Sequence, residues 1–368
     1  MTPRWGEAPW RIDVDVPASP LPAHADVAVI GAGFTGLSTA WHLARAGVHV
    51  VVLEAHRLGA GASGRTGGLA LEGTARGPQP GADDCLVTLE RIVGEAGIAC
   101  DLRLDGCWEI THRPAGPEGR PGWTDDGSVL VGASLEPGGT VDPGALVSGL
   151  ARAALAAGAH LAAHCPVVGL ERGAPLVVVT PEQRLTADHV VTALNAYPDT
   201  FLPRRLPLRS ALTLALATAP LSDAVLDEAG LADRRPFYTI DLPYLWGRAE
   251  TDGRLVLGAG LVSPEDNAVE GVDVDTHDVR QAFTRLETRA RGLHPAFAGV
   301  RITHRWGGPI AFRAERDPVC TRLPETPAVI VTGGYAGHGV ALSLRLGAHV
   351  ADAITRDVAL PAFGALAP

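Results

Sequence analysis

The chain has 368 residues, a length typical of two domains, because one hydrophobic core stops growing near about 250–300 residues. Hydrophobic residues make up 46% of it and charged residues 20%, which indicates a globular protein. All 31 basic residues are arginine. The absence of lysine excludes Schiff-base enzymes such as pyridoxal enzymes and class I aldolases, P-loop proteins and protein kinases.

Charge and apolar content limit the partners and the location of the protein. The net charge is −10 and no basic run occurs, so we expect no nucleic acid partner. The apolar stretches are too short or too broken by glycine to span a bilayer, and residues 1–22 lack the apolar centre of a signal peptide. The five cysteines form no CxxC pair, which predicts reduced thiols, a cytoplasmic location and no metal site.

The first clear motif is a strand followed by a glycine-rich turn and a helix. Residues 26–30 form an apolar strand that leads directly into GAGFTG at residues 31–36. A helix over 37–46 and a second buried strand over 48–53 follow, and that strand ends on Glu54. This context predicts a dinucleotide site, in which the glycines let the backbone approach a pyrophosphate at the helix N-terminus and Glu54 binds the ribose hydroxyls.

A second glycine-rich run separates flavin from nicotinamide as the cofactor. It reads Gly-Ala-Ser-Gly-Arg-Thr-Gly-Gly over residues 61–68. Here the chain resembles the FAD-dependent amine and amino-acid oxidoreductases of the D-amino-acid oxidase superfamily, in which a similar run crosses the flavin. Thr66 stands where that family usually has asparagine. The resemblance implies FAD as the cofactor, with Ser63 and backbone N–H groups against the pyrophosphate or the flavin edge.

The resemblance extends over the middle of the chain. A helix is predicted over 145–158, and a strand pair over 160–170 contains Val167, which matches a family residue whose backbone meets the adenine. A strand that ends near Asn195 matches a family Ala-Thr-Asn-Ala-Tyr pattern. Residues 208–306 contain short apolar strands and one amphipathic helix, and they resemble the family's antiparallel substrate-domain sheet.

The C-terminal part returns to nucleotide binding. Residues 328–332 predict a buried strand, followed by a glycine-rich turn and a helix over about 341–355. The turn contains Gly-His-Gly at residues 337–339, which matches the family closely. In the family this helix directs its positive end at the flavin, where reduction places negative charge.

The sequence therefore predicts an α/β protein, a Rossmann-like FAD-binding domain interleaved with an antiparallel-sheet substrate domain. We assign residues 1–80, 140–207 and 305–368 to the FAD-binding domain, and residues 81–139 and 208–304 to the substrate domain. The predicted cofactor-binding residues are Gly31, Gly33, Phe34, Thr35, Gly36, Glu54, Ala55, Gly61, Ala62, Ser63, Arg65, Thr66, Gly67, Gly68, Val167, Asn195, Trp306, Gly334, Gly337, His338, Gly339, Val340 and Ala341.

Amine oxidation by a flavin needs little acid–base machinery, because the cofactor accepts the hydride and the protein mainly positions the substrate. Arg65 and Arg248 are suited to clamp a carboxylate bidentately, and Trp306 is suited to wall the pocket. The candidates in segments that match flavin- or substrate-facing segments of the family are Arg65, Tyr238, Tyr244, Arg248, Trp306, Arg313 and His338.

Three positions depart from the sarcosine-oxidase branch of the family. Ala341 stands where that branch grips the substrate carboxylate with lysine. The run Arg-Leu-Val-Leu at 254–257, with aliphatic residues at its inward positions, stands where that branch activates oxygen with lysine. The cysteine that binds flavin covalently in that branch aligns near Ile310, and Cys320 lies beyond it. We therefore expect non-covalent FAD.

The region between Ile110 and Gly138 is shorter than in the family, whose members use it for helices that cap the substrate. Residues 112–127 are rich in proline, glycine and charge. This predicts a reduced lid and an open pocket, suited to a bulky substrate such as a biosynthetic intermediate.

The leading interpretation is oxidation of the C–N bond of an amine or amino acid by hydride transfer to flavin N5, which gives an imine. One alternative is a dehydrogenase that oxidises a C–OH bond, with His338 or His304 as the base. A second alternative is a non-catalytic flavoprotein. The sequence leaves the substrate, the stereochemistry, the electron acceptor and the oligomeric state open.

Overall fold

The computed structural model describes residues 4–112, 123–125, 127–130, 132–197, 200–202, 204–240, 244–364 and 366. Within these residues the helices are α1 (Phe34–Arg45), α2 (Cys85–Glu95), α3 (Pro143–Ala156), α4 (Asp223–Glu228), α5 (His277–Gly292) and α6 (Gly339–Thr355). The strands are β1 (His24–Ile30), β2 (Val50–Leu53), β3 (Leu69–Leu71), β4 (Cys107–Thr111), β5 (Thr124–Asp125), β6 (Ser128–Val129), β7 (Gly132–Glu136), β8 (Gly138–Thr140), β9 (His160–Ala162), β10 (Gly169–Glu171), β11 (Leu176–Val179), β12 (Arg184–Thr192), β13 (Arg209–Thr218), β14 (Phe237–Thr239), β15 (Leu245–Ala249), β16 (Leu255–Val262), β17 (Ile302–Phe312), β18 (Val319–Leu323) and β19 (Thr326–Gly333).

The first sheet carries the glycine-rich motifs. Its order is β10-β11-β12-β1-β2-β9, with β19 paired to β12 and β18 paired to β19. The pairs β1–β2, β1–β12 and β12–β19 are parallel, so the carboxyl ends of these strands meet at one edge. Apolar strands of this kind need cover on both faces, and α1, α3 and α6 share one apolar core against the sheet.

The second sheet has the order β17-β13-β16-β15-β14-β4-β7. Its strand pairs are antiparallel except β14–β4, which is parallel. Leu214 and Leu216 of β13 pack on the side covered by α5, whereas Ala215 and Ala217 face the opposite side. This alternation leaves one face of the sheet turned towards the first sheet.

The structure divides the chain differently from the predicted domain boundaries. Strand β17 pairs with β13 along its whole length, so residues 305–312 belong to the second sheet. Proline at 309 does not end this strand, because β17 lies at the sheet edge, where a missing N–H is tolerated. Helix α2, predicted within the substrate domain, packs on α6 through Cys85 and Leu89 in the first core.

Two further segments lie elsewhere than predicted. The expected strand pair over 160–170 does not form, since β9 pairs with β2 at one edge of the first sheet and β10 pairs with β11 at the other. The N-terminal residues 4–10 lie against the second sheet: Trp5 is buried, and its carbonyl accepts a 2.7 Å hydrogen bond from the N–H of Gly307. Both placements depend on partners distant in sequence.

Two expectations concern membranes and the lid. No helix in the described part of the chain is both long and apolar enough to cross a membrane. The predicted reduced lid falls on residues 112–127, of which 113–122 and 126 lie outside the described residues.

The closest backbone approach in the motif lies between α1 and the turn that follows β1. A Cβ atom on Gly36 would lie 1.9 Å from the carbonyl oxygen of Gly31. We expect Gly36→Ala to lower the free energy of unfolding by at least about 1–3 kcal/mol, because α1 must move away from the turn. Denaturant unfolding measures this loss.

Gly94→Ala in α2 is the matched control, because nothing lies within 4 Å of a Cβ atom at that position. Replacing a helical glycine that has free space around it by alanine raises the free energy of unfolding by about 0.5–1 kcal/mol. Equal destabilisation by both variants would contradict the packing explanation.

Candidate functional site

A cavity of about 1720 Å³ lies between the two sheets. It opens at the carboxyl edge of the parallel strands, where Ile30 and Leu53 line it, and it extends over the facing surface of the second sheet to Trp246 and Ile310. Ligands of open α/β sheets bind at this edge. The volume exceeds the roughly 300–1,000 Å³ of a common small-ligand pocket, so a dinucleotide and a substrate both find room.

Glu54 forms the wall at one end of the cavity. Its carboxylate accepts hydrogen bonds of 2.9 Å from the backbone N–H groups of Ala32 and His56. These two bonds hold the carboxylate in place, and its remaining lone pairs can accept hydroxyl donors. Ala55 and Val167 line the same end of the cavity, as the resemblance implies for residues near the adenine.

The two glycine-rich runs are joined by a hydrogen bond. The N–H of Phe34 at the start of α1 donates to Ser63 Oγ at 2.9 Å. Gly33 makes this contact possible, because a Cβ atom there would lie 2.8 Å from Ser63 Oγ. The helix N-terminus and the second run thus form one cradle of backbone N–H groups, which fits a pyrophosphate.

The other end of the cavity is formed by the start of α6. Gly337, His338, Gly339 and Val340 line it, and no side chain of the N-cap residue caps this helix. The positive end of the α6 dipole therefore faces the cavity. Burial lowers the pKa of His338, partly offset by its hydrogen bond to the Ala336 carbonyl, so the imidazole is neutral at pH 7.

The carboxyl edge also gathers two predicted cofactor residues from separate strands. Asn195 follows β12 and has a φ of 50°, and Gly334 follows β19 with a φ of 75°. The N–H of Gly334 donates to Asn195 Oδ1 at 3.0 Å. This bond ties the ends of the two strands together beside the turn that leads to α6.

Arg65 lines the cavity, but its guanidinium is directed into the protein. Nη1 donates to the carbonyls of Gly6 at 2.8 Å and Gly307 at 3.2 Å, and Nε donates to the carbonyl of Ala60 at 3.1 Å. The guanidinium carbon also lies 5.3 Å from the Trp5 ring centroid. These contacts support a structural role for Arg65 and not the predicted carboxylate clamp.

Arg248 lies away from the cavity lining, in contrast to its predicted role. It is 3% exposed, and its Nη1 donates to the Val141 carbonyl at 2.6 Å. Its Nη2 donates to the Glu250 carboxylate. A guanidinium with these partners is not available to a substrate carboxylate, so the clamp expected at Arg248 is corrected to a buried ion pair.

Trp306 is also buried behind the lining. Its Nε1 donates to the carbonyl of Arg65 at 2.9 Å, and its ring meets Trp10 edge-on at 5.6 Å. The predicted pocket wall is instead a support for the second glycine-rich run. His304, the other base considered for a C–OH substrate, lies outside the cavity lining as well.

The two predicted tyrosines do line the cavity. Tyr238 donates from its hydroxyl to Glu109 Oε2 at 2.9 Å, and burial together with this carboxylate raises the pKa of the phenol. Tyr244 is 42% exposed and accepts a hydrogen bond from Arg316 Nη1 at 3.2 Å. Arg313 lines the same cavity.

Sequence reasoning missed Trp246. Its ring lies in a slot between two glycines, since a Cβ atom would lie 2.1 Å from the ring at Gly67 and 2.0 Å from it at Gly258. The available signal was strand alternation, which places Trp246 on the same face as Tyr238 once the two are known to be paired. Glu109 was also missed, although its pairing with Tyr238 places it on the same face.

Most predicted cofactor residues are brought together. Those that line the cavity are Gly31, Gly33, Phe34, Thr35, Glu54, Ala55, Gly61, Ala62, Ser63, Arg65, Thr66, Gly67, Val167, Asn195, Gly337, His338, Gly339 and Val340. Those outside the lining are Gly36, Gly68, Trp306, Gly334 and Ala341. Gly36 serves helix packing, and Ala341 is fully buried inside α6.

Potential metal ligands occur together at another place. In the described part of the chain, His24, Asp26 and Asp188 bring their ligand atoms within 4.8 Å of one another. These side chains lie outside the cavity lining, and exposed groups of this kind are common without an ion.

The chain matches the family of FAD dependent oxidoreductases named DAO over residues 26–353. It is 31% identical to the probable oxidoreductase OrdL of Haemophilus influenzae, over 91% of this chain and 84% of that protein. It is 29% identical to the gamma-glutamylputrescine oxidoreductase of Escherichia coli, over 90% of this chain and 84% of that protein. The chain therefore belongs to the DAO family of FAD-dependent oxidoreductases.

Solved structures show the same fold. Glycine oxidase from Geobacillus kaustophilus is similar with a TM-score of 0.75 and 20% identity, covering 91% of this chain and 95% of that one. L-Proline dehydrogenase from P. horikoshii is similar with a TM-score of 0.75 and 20% identity, covering 93% and 96%. The predicted superfamily, α/β fold, enzyme class and FAD cofactor are confirmed.

The lowered pKa of His338 makes stability depend on pH. Because the folded-state pKa lies below the usual value of 6.5, the unfolded chain binds more protons as the pH falls below that value. We expect the free energy of unfolding to fall between pH 7.5 and 5.5, and to fall less steeply in His338→Asn. Asparagine is a good N-cap residue, so the variant keeps α6.

Denaturant unfolding of both proteins at several pH values measures this difference. His42 also has a pKa lowered by burial, so the variant retains part of the slope. Identical slopes for the two proteins would contradict a neutral, buried His338.

Proposed function

We propose that the protein oxidises the C–N bond of an amine or amino acid to an imine that then hydrolyses. The observation that carries this proposal is the apolar lining that the second sheet contributes to the cavity at Ala215, Trp246 and Ile310. An apolar environment disfavours the protonated form of an amine, and the neutral amine is the form that donates a hydride. The 29% identity to an enzyme of gamma-glutamylputrescine supports an amine substrate.

The residues of the chain fit FAD as a bound cofactor. Glu54 would bind the ribose, the cradle of Gly33 and Ser63 would hold the pyrophosphate, and the α6 N-terminus would face the flavin. When bound, FAD supplies the acceptor for the hydride. The polypeptide then binds and orients the amine, excludes water from it, and offers neutral His338 as the nearest titratable group at the α6 N-terminus.

The size and setting of the cavity support further parts of the proposal. Its volume of about 1720 Å³ suits a bulky substrate beside the cofactor, such as a biosynthetic intermediate. The five cysteines are free thiols, in keeping with a reducing cytoplasm.

The experiment is flavin bleaching under anaerobic conditions with a panel of primary amines, secondary amines, amino acids and hydroxyacids. We expect bleaching by amines, with an aldehyde or ketone and ammonia or a shorter amine as products. Bleaching by hydroxyacids alone would favour C–OH oxidation with His338 as the base. No bleaching by any compound would favour a non-catalytic flavoprotein.

We also propose that FAD is bound without a covalent link. Among the described residues the cavity lining contains no cysteine, and Cys320 is fully buried in β18. Burial raises the pKa of the Cys320 thiol to about 12, so it is not a reactive thiolate. Acid precipitation of the yellow protein should release all of the flavin into the supernatant, and a yellow pellet would contradict this.

A further inference from the structure

One row of side chains crosses the second sheet towards the glycine-rich run. Glu109 of β4 pairs in register with Tyr238, and Tyr238 pairs with Trp246. Trp246 pairs with Gly258, which pairs with Ala215. Residues directly opposite on neighbouring strands point to the same face. The row therefore places a carboxylate, a phenol, an indole and the small side chain of Ala215 along one wall of the cavity, and Gly258 leaves room for the indole.

Within the described part of the chain, no cationic side chain forms an ion pair or a hydrogen bond with the carboxylate end of this row. Glu109 lines the cavity and accepts the hydroxyl of Tyr238 at 2.9 Å, and its described partners include no arginine or histidine. Glu136 of β7 lies diagonally across from Glu109, whose register partner is Ser134. The Glu136 carboxylate accepts a hydrogen bond of 3.0 Å from the hydroxyl of Ser134. Removing a carboxylate from water costs free energy, and a well-placed cation that pairs with it offsets that cost.

The opposite end of the row suits a neutral group. The Trp246 ring is held between Gly67, which belongs to the run that lines the FAD site, and Gly258. Glu109 and Trp246 are two strands apart, which corresponds to about 10 Å. An extended substrate can therefore place one nitrogen in apolar surroundings and another beside the carboxylate.

We propose that Glu109, oriented by Tyr238, binds a second, positively charged amino group of the substrate about 10 Å from the C–N bond that is oxidised. The preferred substrates are then extended amines with a distal ammonium group, such as α,ω-diamines. This inference rests on the proposed amine oxidation, which it extends by naming the substrate class. Tyr238 acts as a positioning residue through Glu109.

The first test compares α,ω-diamines with alkylamines of equal length on the holoenzyme. The wild-type protein should show a KM for 1,8-diaminooctane at least 10-fold below that for n-octylamine. Glu109→Gln should bring the ratio of the two KM values close to one, and Tyr238→Phe should reduce it partially with little effect on kcat. An unchanged ratio in Glu109→Gln would overturn the proposal.

The matched control is Glu270→Gln. Glu270 lines the same cavity from the Val269–Gly271 turn, so the change removes the same charge from another part of the wall. This variant should keep the preference for the diamine. Equal loss of the preference in both variants would show a general charge effect and would count against Glu109. Circular dichroism and the FAD-to-protein ratio establish that each variant is folded.

The second test measures binding without turnover. Heptyltrimethylammonium has a permanent charge, an apolar tail and no oxidisable amine, and 1-octanol is its neutral counterpart. Calorimetry on the holoenzyme should show that Glu109→Gln binds the cation at least 10-fold more weakly than the wild-type protein does. The affinity for octanol should be the same in both proteins. Equal affinity of wild type and variant for the cation would overturn the proposal.

The two tests separate this inference from the proposed function. Binding of the cation that depends on Glu109, without flavin bleaching by any amine, would support the cation subsite and contradict amine oxidation. Bleaching by amines with no dependence on Glu109 in either test would support amine oxidation and contradict the subsite.

Discussion

The partly buried guanidinium of Arg65 is the interaction on which the site depends. It binds carbonyl oxygens of the N-terminal segment, of its own glycine-rich run and of edge strand β17, and it stacks over Trp5. A cation that is partly removed from water costs free energy unless acceptors surround it, so the charge is best satisfied when these three segments come together. This requirement holds the second glycine-rich run between the two sheets, and Trp306 supports it from behind.

The two sheets contribute different parts of the cavity. The first sheet collects the strand ends, Glu54 and the N-termini of α1 and α6, which together suit the phosphates and the flavin. The second sheet presents a wall that changes from apolar at Ala215 to charged at Glu109. Such a gradient favours a neutral nitrogen at one end and a charged one at the other. Under the proposed function, the residues that select the substrate lie in the second sheet, apart from those that would hold the cofactor.

At two positions where related enzymes use lysine, the structure shows small or aliphatic residues that are fully buried. Ala341 and Val256, which stand where the sarcosine-oxidase branch uses lysine, are both 0% exposed. Ala341 packs inside α6 in the first core, and Val256 packs beside Trp306. A longer charged side chain would have to leave these packed positions to reach the cavity. Neither residue belongs to the cavity lining.

The sequence alone determined the cofactor and the fold class, and it predicted many of the residues that the structure places in the cavity lining. These depend on local patterns, namely glycines at fixed spacing between a buried strand and a helix, and an acid at the end of the next strand. Family membership confirms FAD and the fold. Such motifs can be recognised from the sequence because their backbone geometry is set by residues that are close together in the chain.

Only the tertiary structure decided which side chains face the cavity. Arg248 and Trp306 looked suitable by residue type, yet both are buried behind the lining, whereas Trp246 and Glu109 belong to it. The side of a strand that faces the cavity depends on its register with other strands, and a shift of one residue reverses it. The register partners Glu109 and Tyr238, for example, are 129 residues apart in the chain. Local sequence does not contain that register, because pairing is set by packing of the whole sheet.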